Sequence, residues 1–292
     1  MTLSEIRTEV RNITGVSSTS IVSDAIIDDL INEGNFELCD ESNMLQGYAT
    51  RNTVASTNEY PLNDSSSDTV TDWTIYQVNL SGGSTATTSL ENMTRIFRVD
   101  HDGSICQRIG INEISDISGD ASMSNITTSS AYYIHDDKLG LFPTPNAVAE
   151  IKIYYYRLPH LMFTDATCDT NSNTTLQMDD TSLVREGMAV TGAGIASGTI
   201  IATVTNTTTA VLGTAATATA SNQTLTFGTP ELDSRYHRAL IYYPCWRVVE
   251  RLRDINLISY FKNEWLEQKQ RIVLERQTRD GSPILTVPNN DF

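Results

Sequence analysis

A threonine-rich block in the second half of the chain, residues 165–228, limits how the whole sequence can fold. Threonine supplies 17 of its 64 residues, and Arg185 is its only basic residue. Short β-prone runs recur between Gly or Asn turns, a pattern typical of a small all-β sandwich or barrel. The block lies between a strand that ends at Leu158-Pro159 and the segment that begins at Pro230-Glu231. We therefore interpret it as a β domain inserted into a host fold.

The N-terminal 45 residues predict two short amphipathic helices. In the first, Thr2 and Glu5 have the spacing of a capping box, apolar residues recur at helical spacing, and Gly15 is positioned to end the helix. A loop over residues 16–22 leads to a second helix that starts at Ser23 and has an acidic outer face. Two helices of this length are marginal alone and must pack on something larger.

The spacing of apolar residues changes from helical to alternating in residues 46–164. The strongest strand is residues 150–157, in which Ile151, Ile153 and Tyr155 share one face. Together with strands near Tyr132 and Leu139, it predicts a three-stranded antiparallel meander. A short helix is predicted over residues 111–117.

Helical periodicity returns in residues 229–280. Pro244 lies inside the first of these helices and is expected to remove one hydrogen bond and to kink it. A break is predicted at Asp254-Ile255, followed by a further helix with Leu257, Phe261 and Trp265 on one apolar stripe. Asp280-Gly281-Ser282-Pro283 is expected to end it.

These patterns predict an α+β fold: a helical bundle of the N- and C-terminal helices, an antiparallel β-meander and an inserted all-β domain. The predicted parts are N-terminal helices of the host domain (1–45), its β-rich part (46–164), the inserted sandwich or barrel (165–228), C-terminal helices of the host (229–280) and an extended tail (281–292).

The charge distribution argues against a protein that wraps nucleic acid. The net charge is −16, and phosphate contacts need Lys and Arg. Residues 231–280 carry a net charge of +2, so the rest of the chain carries −18. No apolar run approaches the ~20 residues of a membrane span, and no signal peptide is evident, so we expect folding in a cytoplasm and no membrane association.

No catalytic or metal-binding constellation is recognised. Nucleophile-elbow, phosphate-loop, dinucleotide-loop and zinc-protease motifs are missing, so we expect no enzymatic activity, no cofactor and no metal. The four cysteines are far apart in sequence and are expected to be free, buried thiols. His101-Asp102 and His135-Asp136 are interpreted as surface residues. We interpret Tyr154-Tyr155-Tyr156 as part of a sheet face packed on helices, in preference to a base-stacking platform.

Two pieces of the sequence, taken in order, resemble head–tail adaptor proteins of tailed bacteriophages. The first is Leu3-Ser4-Glu5-Ile6-Arg7-Thr8-Glu9-Val10-Arg11 with Thr14-Gly15-Val16, then Ser23-Asp24 and Leu30-Ile31-Asn32-Glu33-Gly34. The second is Leu139-Gly140-Leu141-Phe142-Pro143-Thr144-Pro145 and a Tyr-rich strand ending in Arg157-Leu158-Pro159. A long helix opening with Asp233-Ser234-Arg235-Tyr236-His237-Arg238-Ala239-Leu240 follows. Within the inserted block, Glu186-Gly187-Met188-Ala189-Val190-Thr191-Gly192-Ala193-Gly194 resembles a β-module of phage tail and other virion proteins.

The adaptor resemblance implies a homo-oligomeric ring, usually twelve-fold, that docks on the portal and connects it to tail proteins of the nozzle or tail tube. Genomic DNA would pass through its channel without specific binding, since acidic walls offer phosphates no attraction. The protein would assemble in the host bacterial cytoplasm and reside in the neck or tail region of the virion.

The resemblance also directs attention to two groups of residues. The C-terminal tail is the portal-reaching element implied by the family, and its candidate contact residues are Pro283, Ile284, Leu285, Val287 and Phe292. The apolar stripes of the C-terminal helices are expected to pack subunits together through Tyr236, Leu240, Tyr243, Trp246, Phe261 and Trp265. The alternative is a tail-tip or receptor-binding structural protein in which the β insert is the working part.

Overall fold

The computed structural model describes residues 1–62, 73–77, 86–87, 90, 93–113, 129 and 131–279. The fold is α+β, as predicted, and the chain divides into two compact units. We call Met1–Met44 with Pro159–Phe292 the helical unit, and Leu45–Leu158 the sheet unit. Each unit is described by itself below.

The first helix of the helical unit, α1, spans Leu3–Thr14 and begins with the predicted capping box. The Glu5 N–H donates to the Thr2 hydroxyl at 3.3 Å, and the Thr2 N–H donates to the Glu5 carboxylate at 2.9 Å. Gly15 follows with φ of 68°, a left-handed conformation that costs glycine little. The predicted cap and terminator are both confirmed.

The second helix, α2, spans Asp24–Ser42 and is longer than the sequence pattern indicated. Ser23 caps it by accepting a hydrogen bond from the Ile26 N–H, and Asn43 ends it at φ of 48°. Polar residues on its inner side are buried, among them Asp28, Asn32 and Asn35. Hydrophobic periodicity counts such positions as solvent-facing, which is why the pattern ended early.

The C-terminal helices are α3, Ala239–Leu252, and α4, Ile255–Arg279. Pro244 is accommodated inside α3 and is buried. Arg253, at φ of 60°, ends α3 and confirms the break predicted at Asp254-Ile255. Helices α2 and α3 each lie against the three other helices, and α3 packs closely on α4.

A six-stranded antiparallel sheet completes the helical unit, in the region predicted to be an inserted β domain. Its spatial order is β12-β15-β10-β11-β14-β13. The strands are β10 Phe163–Asn171, β11 Thr175–Gln177, β12 Val190–Gly192, β13 Ile201–Asn206, β14 Thr209–Leu212 and β15 Thr219–Phe227. The outermost strands in sequence, β10 and β15, are neighbours: Phe163 pairs with Phe227, and their rings stack with centroids 4.8 Å apart.

The sheet unit contains nine strands among its described residues, in the order β2-β8-β7-β6-β5-β9-β1-β3-β4. They are β1 Gln46–Asn52, β2 Glu59–Pro61, β3 Thr74–Gln77, β4 Ala86–Thr87, β5 Met93–His101, β6 Ser104–Arg108, β7 Ala131–His135, β8 Lys138–Phe142 and β9 Glu150–Arg157. Only the β6–β7 pair of this set is parallel. One face of the sheet carries the buried core, which includes Tyr60, Val99, Leu139, Ile153 and Tyr155.

The predicted three-stranded meander is wrong in its last step. Strands β7 and β8 form an antiparallel hairpin, but β9 pairs with β1 on one edge and β5 on the other. A tight hairpin needs a connection of two to five residues, whereas residues 143–149 form a longer segment with two prolines. This connection lets β9 leave its sequence neighbour and become a central strand. The helix predicted over residues 111–117 lies mostly outside the described residues.

Candidate assembly interface

An ion-pair network joins α1 and α2 to the first strand of the six-stranded sheet. The Arg7 guanidinium donates two hydrogen bonds to the Asp28 carboxylate, from Nε to Oδ1 at 2.7 Å and from Nη2 to Oδ2 at 2.5 Å. The same Nη2 donates to the Thr164 hydroxyl at 2.8 Å, and Arg11 pairs with Asp24 one turn away. Burial raises the pKa of Asp28, against the opposing effect of Arg7. Both side chains are largely buried, so Asp28 depends on Arg7 for charge compensation, whereas Arg7 also lies 3.6 Å from a carboxylate oxygen of Asp24.

The side-chain amide of Asn32 holds the segment that enters the six-stranded sheet. Its Nδ2 donates to the Met162 carbonyl at 2.7 Å, and its Oδ1 accepts from the Met162 N–H at 3.0 Å. Both residues are buried. The amide therefore satisfies the hydrogen-bonding groups of a backbone that has no strand partner at this point. This gives Asn32, within the run Leu30-Ile31-Asn32-Glu33-Gly34, a structural role.

Helices α2 and α3 approach closely at Gly34. A Cβ atom on this residue would lie 2.9 Å from the Cβ of Tyr243. The Tyr243 ring makes edge contacts with Trp246 and Trp265, at centroid distances of 5.5 and 5.2 Å. Burial, together with a hydrogen bond to Glu33, raises the pKa of Tyr243. Glu33 and Gly34, which are adjacent in sequence, thus both contact Tyr243 and set the contact between α2 and α3.

Lys269 connects α4 to α2 by ion pairs with two carboxylates. Its Nζ lies 2.7 Å from Glu37 and 2.8 Å from Glu41, which are one turn apart on α2. Burial lowers the pKa of Lys269, but the hydrogen bonds to the two carboxylates outweigh it and the pKa is raised. Lys269 is therefore held as a cation at the α2–α4 contact.

The residues predicted to pack subunits together lie mostly inside a single chain. Tyr236, Leu240, Tyr243, Phe261 and Trp265 are buried, and Trp246 is partly exposed, with Arg247 and Lys262 each 5.4 Å from its ring centroid. Their burial shows that they hold the helices of one subunit against each other. A role for them between subunits stays a prediction.

A different set of side chains on the same helices is exposed. On α4, Leu257, Tyr260 and Leu274 are 39%, 53% and 63% exposed. At 3.6 residues per turn they fall on one side of the helix. Leu257 was predicted on one apolar stripe with Phe261 and Trp265; those two residues are buried, whereas Leu257, one turn before Phe261, is exposed. These residues are among the exposed apolar side chains of the helical unit that a neighbouring molecule could contact.

The predicted portal-contact residues, Pro283, Ile284, Leu285, Val287 and Phe292, lie outside the described residues, as does the predicted helix end at Asp280-Gly281-Ser282-Pro283. Helix α4 is described as far as Arg279.

The cysteines and His101, which were considered as reactive groups, are buried within the fold. All four cysteines are free and buried, as predicted. His101, predicted at the surface, is instead 1% exposed and accepts a hydrogen bond from the Ser129 N–H at 3.0 Å. The alternation rule placed it wrongly because it lies next to a hairpin turn. Within the described residues, no cluster of His, Cys, Asp and Glu could hold a metal ion.

No helix in the described part of the chain is long and apolar enough to cross a membrane. Among protein families, the model described as "SU10 adaptor protein" matches residues 1–190. No curated protein matches the sequence.

Proposed function

The chain belongs to the SU10 adaptor protein family, and we propose that it is the non-catalytic head–tail adaptor of a tailed bacteriophage, forming a ring between portal and tail. The family match carries the proposal. It covers α1, α2, the whole sheet unit and the start of the six-stranded sheet. The protein would reside in the neck of the virion.

The helical unit supports a role as ring scaffold. The family match ends before α3 and α4, yet α3 contacts both matched helices and Lys269 of α4 pairs with α2. The four helices would act as one bundle. Its exposed residues Leu257, Tyr260 and Leu274 would lie against a neighbouring subunit.

The charge of the chain supports passage of DNA through the ring without specific binding. With a net charge of −16, a channel wall rich in carboxylates would gain nothing from counterion release. The C-terminal tail, residues 281–292, would reach the portal through Pro283, Ile284, Leu285, Val287 and Phe292. The opposite side of the ring would receive tail proteins.

The test is reconstitution with the portal protein encoded by the same genome. Full-length protein mixed with purified portal is expected to form a closed ring on it, visible by negative-stain microscopy and by mass measurement. A chain that stays monomeric in the presence of portal would contradict the adaptor assignment.

A variant lacking residues 281–292 tests the tail separately. We expect weaker attachment to the portal, with an unchanged urea-unfolding midpoint. Undiminished attachment of the shortened chain would remove the role proposed for the tail and leave the adaptor assignment standing.

A further inference from the structure

The outer face of the sheet unit carries aromatic and cationic side chains on three adjacent central strands. In β9, Ile151, Ile153 and Tyr155 are buried, so the alternate residues occupy the opposite face. We call this surface the aromatic–cationic patch; it consists of Tyr48 from β1, Arg95, Phe97 and Arg98 from β5, and Lys152, Tyr154 and Tyr156 from β9. The face that carries Tyr154 and Tyr156 was predicted to pack on helices; Phe97, which packs on Tyr156, is 42% exposed.

Cations and rings alternate across this patch. The Lys152 Nζ lies 4.3 Å from the Tyr48 ring centroid and 5.2 Å from that of Tyr154. The Arg95 guanidinium lies 5.1 Å from the Tyr156 centroid. Phe97 packs on Tyr156 with centroids 4.6 Å apart. These contacts hold long, flexible side chains in place, so less conformational entropy is lost when a partner binds.

The composition of the patch is that of a protein–protein interface. Tyrosine, phenylalanine and arginine are enriched at the centres of such interfaces and supply much of their binding energy. A nucleic acid is a poorer fit. Glu150 is next to Lys152, and Asp100 already accepts two hydrogen bonds from Arg98, so the three cations of the patch are offset by two carboxylates.

We propose that the aromatic–cationic patch of one subunit docks on an acidic surface of a second copy of this chain. Charge complementarity identifies this occupant: three cations against two carboxylates leave the patch a local charge of +1, whereas the whole chain carries a net charge of −16. Two patches facing each other would oppose like charges, so the contact must join two different surfaces. Such a head-to-tail contact repeats around an axis and forms a ring when the rotation between subunits closes. This inference rests on the proposed ring and assigns one side of its subunit interface.

Charge reversal of the patch tests the proposal in the full-length chain. The variant Arg95→Glu with Lys152→Glu is compared with Arg108→Glu with Lys138→Glu, which reverses one Arg and one Lys at exposed positions outside the patch. We expect patch reversal to raise the subunit dissociation constant roughly tenfold or more, measured by sedimentation velocity, with the control close to wild type. Equal effects of the two variants, or no effect of patch reversal, would overturn the proposal.

Zero-length carbodiimide cross-linking identifies the occupant. A mixture of unlabelled and nitrogen-15-labelled protein is cross-linked and digested, and peptides containing Lys152 are analysed by mass spectrometry. Cross-links from Lys152 to an Asp or Glu of the differently labelled copy are expected. Only same-label cross-links, or none, would contradict a second copy as the occupant.

Two further measurements separate the possible failures. Fluorescence anisotropy with single-stranded and duplex oligonucleotides is expected to show no binding that depends on Arg95 and Lys152; binding lost on patch reversal would identify a nucleic acid as the occupant and overturn the proposal. If rings form on the portal but survive patch reversal, this inference fails alone. If wild-type protein forms no ring at all, the proposed function fails with it.

Discussion

The side-chain amide of Asn32 pairs with the backbone of Met162 as a neighbouring strand would, donating to the carbonyl at 2.7 Å and accepting from the N–H at 3.0 Å. One residue on α2 thereby fixes the point at which the chain enters the six-stranded sheet. Because both residues are buried, substitutions of Asn32 test how much this pairing stabilises the protein.

Replacing Asn32 with Ala is expected to destabilise the protein by about 2–4 kcal/mol, because it leaves a buried N–H and a buried carbonyl without partners. Asn32→Asp keeps the acceptor for the Met162 N–H but loses the donor to the Met162 carbonyl. It also buries a charge. Asn12→Ala on the exposed side of α1 is the matched control. Urea unfolding measures all three; an Asn32→Ala midpoint equal to that of the control would show that the pairing is not needed.

Removing Arg7 should cost about 3–5 kcal/mol, since the Asp28 carboxylate would be left buried and uncompensated. Removing Asp28 should cost less, because Arg7 keeps its ion pair with Asp24. Replacing both residues, as in Arg7→Met with Asp28→Leu, should cost much less than the sum of the two single changes. A double-mutant cycle by chemical denaturation gives this coupling. Additive effects would mean that Arg7 and Asp28 act independently.

Whether Gly34→Ala stabilises or destabilises the protein shows how closely α2 and α3 must pack. Gly→Ala inside a helix ordinarily stabilises by about 1 kcal/mol. Here the added methyl group would meet the Tyr243 side chain at 2.9 Å, so Gly34→Ala is expected to destabilise by about 1–3 kcal/mol. Thermal unfolding followed by circular dichroism distinguishes the two signs. Stabilisation by Gly34→Ala would show that α2 and α3 can separate without loss.

Stability should fall as the pH drops below the ordinary histidine pKa of 6.5. Burial lowers the pKa of both His101 and His237, so the unfolded chain takes up protons that the folded chain does not. This contribution is complete above pH 6.5 and is lost as the pH falls toward the lowered values. The measurement is urea unfolding at about pH 7.5 and about pH 5.5.

Two variants serve as the comparison for this pH effect. His101→Gln should reduce the loss of stability on acidification, because it removes one of the buried groups that charge on unfolding. His135→Gln, at the exposed end of β7, is the matched surface control. A pH response that is identical in His101→Gln and wild type would exclude His101 as a source.

The elements that were predicted well are those set by local chemistry. The capping box of Thr2 and Glu5, the end of α1 at Gly15 and the alternation in β9 each depend on residues within one turn or one strand. The pairing of β9 with β1 and β5 could not be predicted, because alternation defines a strand's faces and says nothing about its neighbours.

The network around Arg7 was missed, although the sequence holds a signal for it. Arg7 and Arg11 are four residues apart on α1, and Asp24 and Asp28 have the same spacing on α2. Two such rows of opposite charge indicate facing helices, but periodicity analysis assigns charged residues to the solvent side. The aromatic–cationic patch was missed because two of its cations, Arg95 and Arg98, come from β5 and its tyrosines mainly from β9, and only the fold brings them together.

The neighbouring positions of β10 and β15 bear on how such a chain can evolve and be engineered. Because Phe163 pairs directly with Phe227, the two ends of the six-stranded module lie one strand spacing apart, about 5 Å. A turn of a few residues could span that gap, so a replacement module would need to preserve only the junction contacts of Thr164 with Arg7 and of Met162 with Asn32. The same junction offers a site at which a reporter or a foreign recognition module can be grafted onto the protein.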